Sequence, residues 1–297
     1  MKIFITGEAG LIAQYLDKIL ADYVVWGYNH RDLSKCTFPN MWGGDVELDI
    51  MSSMLYSVIS ELMPDVVIHP AGVVNTDMCD LYPELAVDIN IIGALNIATI
   101  SSTIGAKLVY FSTTAVFDPD NYGYDRMITN RTRKSPRTLY GMTKMVGEHM
   151  VKRVMNKKKL LILRPCFVYG GYSDHHSSLM RIIRAVKYGE DEVNIDLNPH
   201  YYKDYMYVDD AVNIMKGLIV NNVVGEYNIS RGKPRIFFEY VETIKRGLGK
   251  LPKINYFPEK DYLHNHIVDG STAIKDSDYI PRLEFNEEMV HAIFEEV

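Results

Sequence analysis

The chain has 297 residues, 47% of them hydrophobic and 24% charged, with a formal net charge of −6. That length can bury a large core and suits one big α/β unit with an appended lobe, and the acidic balance excludes a general nucleic-acid binder, which needs clustered excess Lys and Arg. Cys36, Cys79 and Cys166 match no metal pattern, and so sparse and odd a set suits a reducing compartment. No apolar run approaches the ~20 residues that cross a bilayer, and the start enters a strand with no signal-peptide layout. A cytoplasmic protein with no membrane partner and no metal is expected.

Apolar runs bounded by turn residues alternate with helical periodicity through the first half. In chain order the pattern predicts a strand over 2–6, a helix over 11–20, a strand over 24–28, a helix over 51–63 and a strand over 65–69. A long helix over 83–104, a strand over 107–112, a helix over 140–155 and a strand over 159–164 follow. Such βα units with apolar strands indicate a Rossmann-type, doubly wound parallel sheet covered on both faces. Lys157 to Lys159 read as a solvated strand entrance. After Pro165 the rhythm breaks: a loop over 170–176, a helix over 178–188, an apolar stretch over 205–208 and a helix over 210–220. An amphipathic helix over 237–248 and a terminal helix over 286–296 close the chain. Residues 1–165 with about 205–230 are expected to form the dinucleotide-binding domain. About 166–204 and 231–297 form a smaller C-terminal α/β substrate lobe.

The first strand runs into Gly7-x-x-Gly10-x-x-Ala13. A glycine-rich turn lets backbone N–H groups approach a pyrophosphate, and the helix N-terminus adds partial positive charge. The end of the second strand separates NAD from NADP, since a carboxylate there suits a ribose 2′-OH and a cation a 2′-phosphate. His30 and Arg31 occupy it, with Asp32 just after, which favours NADP over NAD. Asp49 and Ile50 are placed to bracket the adenine.

Tyr140 and Lys144 carry the chemistry. A phenol with a pKa of ~10 is a poor base at neutral pH. A lysine ammonium four residues on, on the same helix face, together with a cationic nicotinamide ring, is expected to lower that value. Ser112, Thr113 and Thr114 close the preceding strand and offer hydroxyls to a substrate oxygen.

These segments together resemble the extended short-chain dehydrogenase/reductase family of nucleotide-sugar epimerases, dehydratases and reductases. The likeness runs nearly end to end. Asp65 to Gly72 is similar to the family's strand ending in His-x-Ala, and Pro83, Asn90, Gly93 and Asn96 to its Pro-x6-Asn-x2-Gly-x2-Asn helix. Phe111 to Phe117, Leu139 to Lys144 with Gly147 and Glu148, and Arg164 to Gly170 match its hydroxyl strand, catalytic helix and crossover. Lys203 to Asp210 and Gly225 to Ile229 match later segments. The resemblance implies Tyr140 as acid/base, Lys144 on the nicotinamide ribose and Thr113 on the reacting oxygen. It implies Gly7, Gly10, Leu11, Ile12, Ala71, Gly72, Val73, Asn90, Ser112 and Pro165 along the cofactor. A nucleotide-diphosphate sugar would sit against Thr114, Ala115, Phe167, Ser177, Ser178 and Lys203, and a homodimer would form through the helices over 83–104 and 140–155.

Departures narrow this. Dehydratases carry an Asp-Glu pair where Thr114 and Ala115 stand, so elimination is disfavoured. Ser112 to Asp118 and the aromatic Phe167 are similar to reductases of the dTDP-4-dehydrorhamnose type. Lys203 to Asp210 is similar to the epimerases, with lysine replacing an arginine; lysine meets a phosphate as a point charge without bidentate geometry. Epimerase and 4-keto reductase both stay open, acting by hydride transfer at C4. A non-catalytic NADP-binding regulatory subunit and a reductase of a non-nucleotide ketone are the alternatives. His175 and His176 suit a surface loop better than a metal site. Cys166 suits a small buried apolar side chain. Arg131, Arg133, Lys134 and Arg137 suit a solvated loop, or else a rim that steers a diphosphate.

Overall fold

The protein is described here from a computed structural model covering residues 1–7, 10–28, 50–118, 127–171, 174, 177–261 and 265–297. Its first half runs β1 (Lys2–Thr6), α1 (Leu11–Ile19), β2 (Val24–Tyr28), α2 (Ser53–Leu62), β3 (Val66–His69), α3 (Thr76–Leu81) and α4 (Pro83–Val87). It continues with α5 (Ala94–Thr103), β4 (Lys107–Phe111), α6 (Leu139–Val154) and β5 (Leu160–Pro165). Beyond Pro165 come β6 (Phe167–Tyr169), α7 (Ser178–Tyr188), β7 (Glu192–Ile195), β8 (Tyr202–Lys203), β9 (Tyr205–Tyr207) and α8 (Val208–Val220). The chain ends through β10 (Gly225–Ile229), β11 (Arg235–Ile236), α9 (Phe237–Leu248), β12 (Lys253–Tyr256), α10 (Ser271–Ser277) and α11 (Glu287–Glu296).

Six strands form one parallel sheet in the order β10-β5-β4-β3-β1-β2. Successive strand side chains face opposite sides, and both sides are covered. Ile3, Ile5, Val66, Ile68, Val109, Phe111, Leu161 and Leu163 enter one buried cluster; Phe4, Val67, Leu108, Tyr110, Leu160 and Ile162 enter another. That strict alternation explains why these strands read as unbroken apolar runs. The chain leaves β1 towards β2 on one side and returns to β3 on the other. The carboxyl ends of β1 and β3 therefore flank the switch point where open α/β sheets take ligands. Beyond the main sheet, β6 pairs β9, β12 pairs β7 and β11 pairs β8.

Two expectations are corrected. The helix over 83–104 is interrupted: a π-helical turn over Asp88–Gly93 separates α4 from α5. Gly93 packs on Ile50, where any side chain would overlap the Ile50 methyl. Single π turns cluster at functional sites, and this one carries Asn90. The run Pro83–Thr103 also contains an 18-residue window of mean hydropathy 1.5, long and apolar enough by length and composition to cross a bilayer. Asp88, Asn90 and Asn96 break it up to the eye, but its Ile, Leu and Val residues outweigh them in that average. In the fold its Ala94, Ile97, Ala98 and Ile100 are buried.

Candidate active site

The glycine turn is required by geometry. Gly7 has φ +63, and a Cβ there would lie 2.8 Å from the Ala71 Cα, so the turns after β1 and β3 touch backbone to backbone. Gly10 N donates to Gly7 O at 2.9 Å and leads into α1, whose first residues are Leu11 and Ile12. Behind the turn, Thr6 Oγ1 and His69 Nδ1 share a hydrogen bond at 2.8 Å. Burial, with the Lys144 charge, holds the His69 imidazole down to about 3, so it is neutral.

Asn90 pins the loop Ala71–Gly72–Val73. Its Oδ1 accepts from Val73 N at 2.9 Å, and its Nδ2 donates to Val73 O at 2.9 Å and Thr143 Oγ1 at 3.0 Å. Its amide is thus satisfied by protein at both ends. A Cβ at Gly72 would stand 2.8 Å from Asn90 Oδ1 and 3.5 Å from Lys144 Nζ.

Tyr140 and Lys144 lie one turn apart on α6, capped by the Thr138 side chain, which accepts from Gly141 N at 3.0 Å. Gly141 lets α6 approach the 114–116 turn, because a Cβ there would overlap the Ala115 carbonyl. That approach joins Tyr140 to Thr113 by a side-chain hydrogen bond. Thr113 Oγ1 also accepts from Ala115 N at 3.1 Å. Lys144 is 2% exposed, with Nζ 4.9 Å from the centre of the Tyr110 ring. Among the described residues no hydrogen bond engages that ammonium. Ser112 Oγ and Tyr110 OH are buried nearby, also without a partner.

The charge states differ from expectation. Burial pushes the Tyr140 phenol up to about 12 against the lowering effect of the Thr113 hydrogen bond. Burial also holds Lys144 down to about 8, against the pull of Glu148. Desolvation disfavours both charged forms, so in the isolated chain the lysine is discharged more readily than the phenol is acidified.

One turn further along α6 the picture reverses. Glu148 Oε1 accepts from Arg164 Nε at 2.7 Å, Glu148 Oε2 accepts from Arg164 Nη2 at 2.8 Å, and Lys134 pairs with the same carboxylate. Glu226 extends the network to Arg164 and, at 2.5 Å, to Lys152. Burial pushes Glu148 up, but these cations outweigh it and hold the carboxyl at about 2. Lys134 is therefore neither a solvated loop residue nor a steering rim, and Arg137 pairs with Asp118 at 2.9 Å. Arg131 and Arg133 are exposed.

On the substrate side Thr114 is 3% exposed and donates through Oγ1 to Pro165 O at 3.3 Å; Ala115 is also buried. Cys166 is half-buried against the small cluster of Val116, Phe117, Ile128 and Val268. Ser177 N donates to Asp174 Oδ1 at 2.9 Å, while Ser177 Oγ is buried with no hydrogen-bond partner among the described residues. Ser178 hydrogen-bonds Tyr205. Lys203, read as a point charge for phosphate, has its ammonium wholly buried and paired with Asp261 Oδ1 at 2.7 Å. Ile50 is buried, and its carbonyl accepts from Asn96 Nδ2 at 3.2 Å. His30, Arg31, Asp49, His175 and His176 lie outside the described residues.

Tyr110, Asp261 and His266 have no counterpart in the sequence reading. Tyr110 sits in the strand before the hydroxyl segment, where only the sheet's alternation could have turned it towards α6. Nothing local marks Asp261 or His266.

The residues present fit a dinucleotide: the backbone approach at Gly7 and Ala71 gives a side-chain-free crevice, and Lys144 Nζ, which no hydrogen bond engages among the described residues, stands 3.5 Å from where a Gly72 Cβ would be. A doubly wound sheet with a glycine turn at its switch point and a Tyr/Lys helix beside it defines a Rossmann-type dinucleotide fold. The chain belongs to the RmlD substrate binding domain family, which it matches over residues 1–197, and with it to the extended short-chain dehydrogenase/reductases. It is 27% identical over 198 residues to methionine adenosyltransferase 2 subunit beta of Bos taurus, covering 66% of this chain and 55% of that one. The chain thus spans about half the length of the curated relative it matches there. A crystal structure of dTDP-4-dehydrorhamnose reductase from Bacillus anthracis str. Ames in complex with NADP is 25% identical, with TM-score 0.78 over 100% of both chains. UDP-glucuronic acid 4-epimerase from Bacillus cereus, solved with UDP-glucuronic acid and NAD, shares the fold at 22% identity and TM-score 0.81, over 100% of this chain and 98% of that one.

Proposed function

We propose that the protein is an NAD(P)-dependent oxidoreductase or epimerase that acts at C4 of a nucleotide-diphosphate sugar. The observation that carries this reading is the meeting of the Thr113 and Tyr140 hydroxyls beside the unpartnered Lys144 ammonium. When bound, the nicotinamide accepts or supplies hydride at the carbon that bears the reacting oxygen. Thr113 holds that oxygen, and Tyr140 exchanges a proton with it. A phenol at about 12 is fully protonated at neutral pH and so holds the proton that ketone reduction needs, though as a weak acid. Taking a proton from an alcohol needs a lower value, and the cationic ring beside Lys144 would supply that shift. Gly7, Gly10, Leu11, Ile12, Ala71, Gly72, Val73, Ser112 and Pro165 border the cofactor, with Asn90 holding its loop in place. His30 and Arg31 favour NADP, by charge.

In this reading residues 1–165 with 205–230 bind the dinucleotide, and 166–204 with 231–297 the sugar nucleotide. A homodimer would cover the exposed apolar Tyr82, Leu85, Ile92 and Met142 on the helices flanking the site. The B. anthracis reductase and B. cereus epimerase support the substrate class and leave the direction open.

The test follows absorbance at 340 nm with a panel of UDP-, dTDP- and GDP-sugars and their 4-keto forms. Net NADPH consumption identifies a reductase, and product without net change an epimerase; neither across the panel sinks the substrate class. The likeness to methionine adenosyltransferase 2 subunit beta favours a second reading, a non-catalytic dinucleotide-binding subunit. Tyr140→Phe separates the two. An enzyme should lose about 10²–10⁴-fold in turnover while keeping its cofactor; a binding subunit should be indifferent.

A further inference from the structure

The Lys144 ammonium lies over the Tyr110 ring, 4.9 Å from its centre, within the range of a cation–π contact. Tyr110 is fully buried, and three elements fix its ring there. On β4 it shares a side with Leu108, in the cluster that also holds Val151 of α6. On β3 its register partner is His69, with ring centroids 6.0 Å apart. On α6, Gly147 leaves the space that the phenol fills: a Cβ there would overlap Tyr110 OH and stand 2.8 Å from Asn90 O. The glycine one turn beyond the lysine thus admits the ring on which that lysine rests.

The titratable groups that act on Lys144 are Glu148 on α6, Cys79 on α3 and His69 on β3, with Tyr140 one turn back on its own helix. Burial pushes the Cys79 thiol up to about 11 and the Tyr140 phenol up to about 12, and holds the His69 imidazole down to about 3. All three are therefore uncharged at neutral pH, and burial keeps Tyr110 protonated too. Glu148 is ionised, but Arg164 and Lys134 already meet its charge. What remains close to the ammonium is the face of Tyr110. A ring holds a cation through its quadrupole, without the directional hydrogen bonds a carboxylate takes, so the N–H donors stay open to a ligand.

We infer that Tyr110 is a positioning residue whose ring face stations the Lys144 ammonium, keeps it charged against desolvation and leaves its donors free for the dinucleotide. Its effect on turnover rests on the oxidoreductase reading above, whereas its hold on Lys144 is a property of the free chain.

The test changes the electron density of the ring face while nearly keeping its size. The full chain, labelled with carbon-13 at the lysine Cε, is titrated by NMR, and the Lys144 signal is identified by its absence from Lys144→Met. Tyr110→Phe keeps the face and should leave the Lys144 midpoint within about 0.3 pH units of wild type. Further variants add one, three or five fluorines to that ring and drain its face of negative charge. The midpoint should fall in step, by about one unit at five fluorines. If the most fluorinated ring prevents folding, the other two still give the slope. The same series, followed at 340 nm with the sugar nucleotide that wild type turns over, should keep its turnover near about pH 6.5. Near about pH 8 the five-fluorine variant should lose about fivefold, the fall in charged fraction that a one-unit shift gives there. A merely structural fault would lower turnover at both pH values alike. The inference is overturned by a midpoint that ignores fluorination, or by equal losses of turnover at the two pH values. It is overturned too if Tyr110→Phe shifts the midpoint as far as five fluorines do, since the hydroxyl would then hold the lysine. A midpoint that falls in step while no sugar nucleotide is turned over upholds the hold on Lys144 and sinks the substrate class instead.

Discussion

Two positions on α6, one turn apart, treat charge in opposite ways. Glu148 is saturated: Arg164 grips both its oxygens, and Lys134 and Lys152 approach the same carboxylate. Lys144 is buried too, and among the described residues no hydrogen bond engages it; its ammonium lies against the face of Tyr110. The first arrangement fastens the helix to β5 and β10. The second leaves a polar group waiting beside Tyr140, Ser112 and the glycine crevice. A fold that satisfies one buried charge fourfold and leaves its neighbour open marks where a ligand completes the structure.

Breaking the saturated end should have the largest effect on stability. Arg164→Met takes both guanidinium hydrogen bonds from the buried Glu148, leaving it Lys134 and Lys152, and should cost about 3 kcal/mol in urea unfolding. At the open end the sign should invert. Lys144→Met should leave stability unchanged or raise it by about 1–2 kcal/mol, since burying an unpaired ammonium is unfavourable. The same variant should lose turnover about 10²-fold or more. Both readouts come from one preparation, and a destabilised Lys144→Met would show that the lysine holds the fold together. Gly7→Ala should fall between, at about 1–2 kcal/mol with weakened dinucleotide binding by fluorescence titration, because φ +63 and the Ala71 contact both oppose a side chain.

pH sharpens the contrast most gently. Glu148, at about 2 in the fold against an ordinary 4.5, contributes stability above 4.5 that is lost as pH falls towards 2. Lys144, at about 8 against 10.5, makes the folded chain bind fewer protons between those values, so stability should rise with pH there. Lys107, also held at about 8 by burial, adds the same sign. Thermal unfolding followed just above pH 8 should show the rise, before the raised phenols, Tyr140 among them, turn the sign as pH nears 10, and Lys144→Met should flatten part of it.

The sheet was legible because its information is local. The predicted strands over 2–6 and 24–28 match β1 and β2 residue for residue, and the helices over 178–188 and 237–248 match α7 and α9. The π turn was not legible, since Asp88–Gly93 has helical periodicity and the extra residue is taken up only by packing against Ile50 and the loop at Val73. The short α3 and α10 were missed for a related reason: six or seven residues carry too little periodicity to register.

The sequence alone determined which residues could do chemistry. The spacing of Tyr140 and Lys144 on one helix face, the glycines after the first strand and the hydroxyls after β4 are each encoded within a short stretch of a few residues. Only the tertiary structure decided their charge and their company. Asp261 reaches Lys203 across 58 positions, and Glu226 reaches Lys134 across 92. Desolvation of Tyr140 and Lys144 comes from elements distant in the chain. Periodicity is a property of neighbours in sequence, whereas dielectric and pairing belong to neighbours in space.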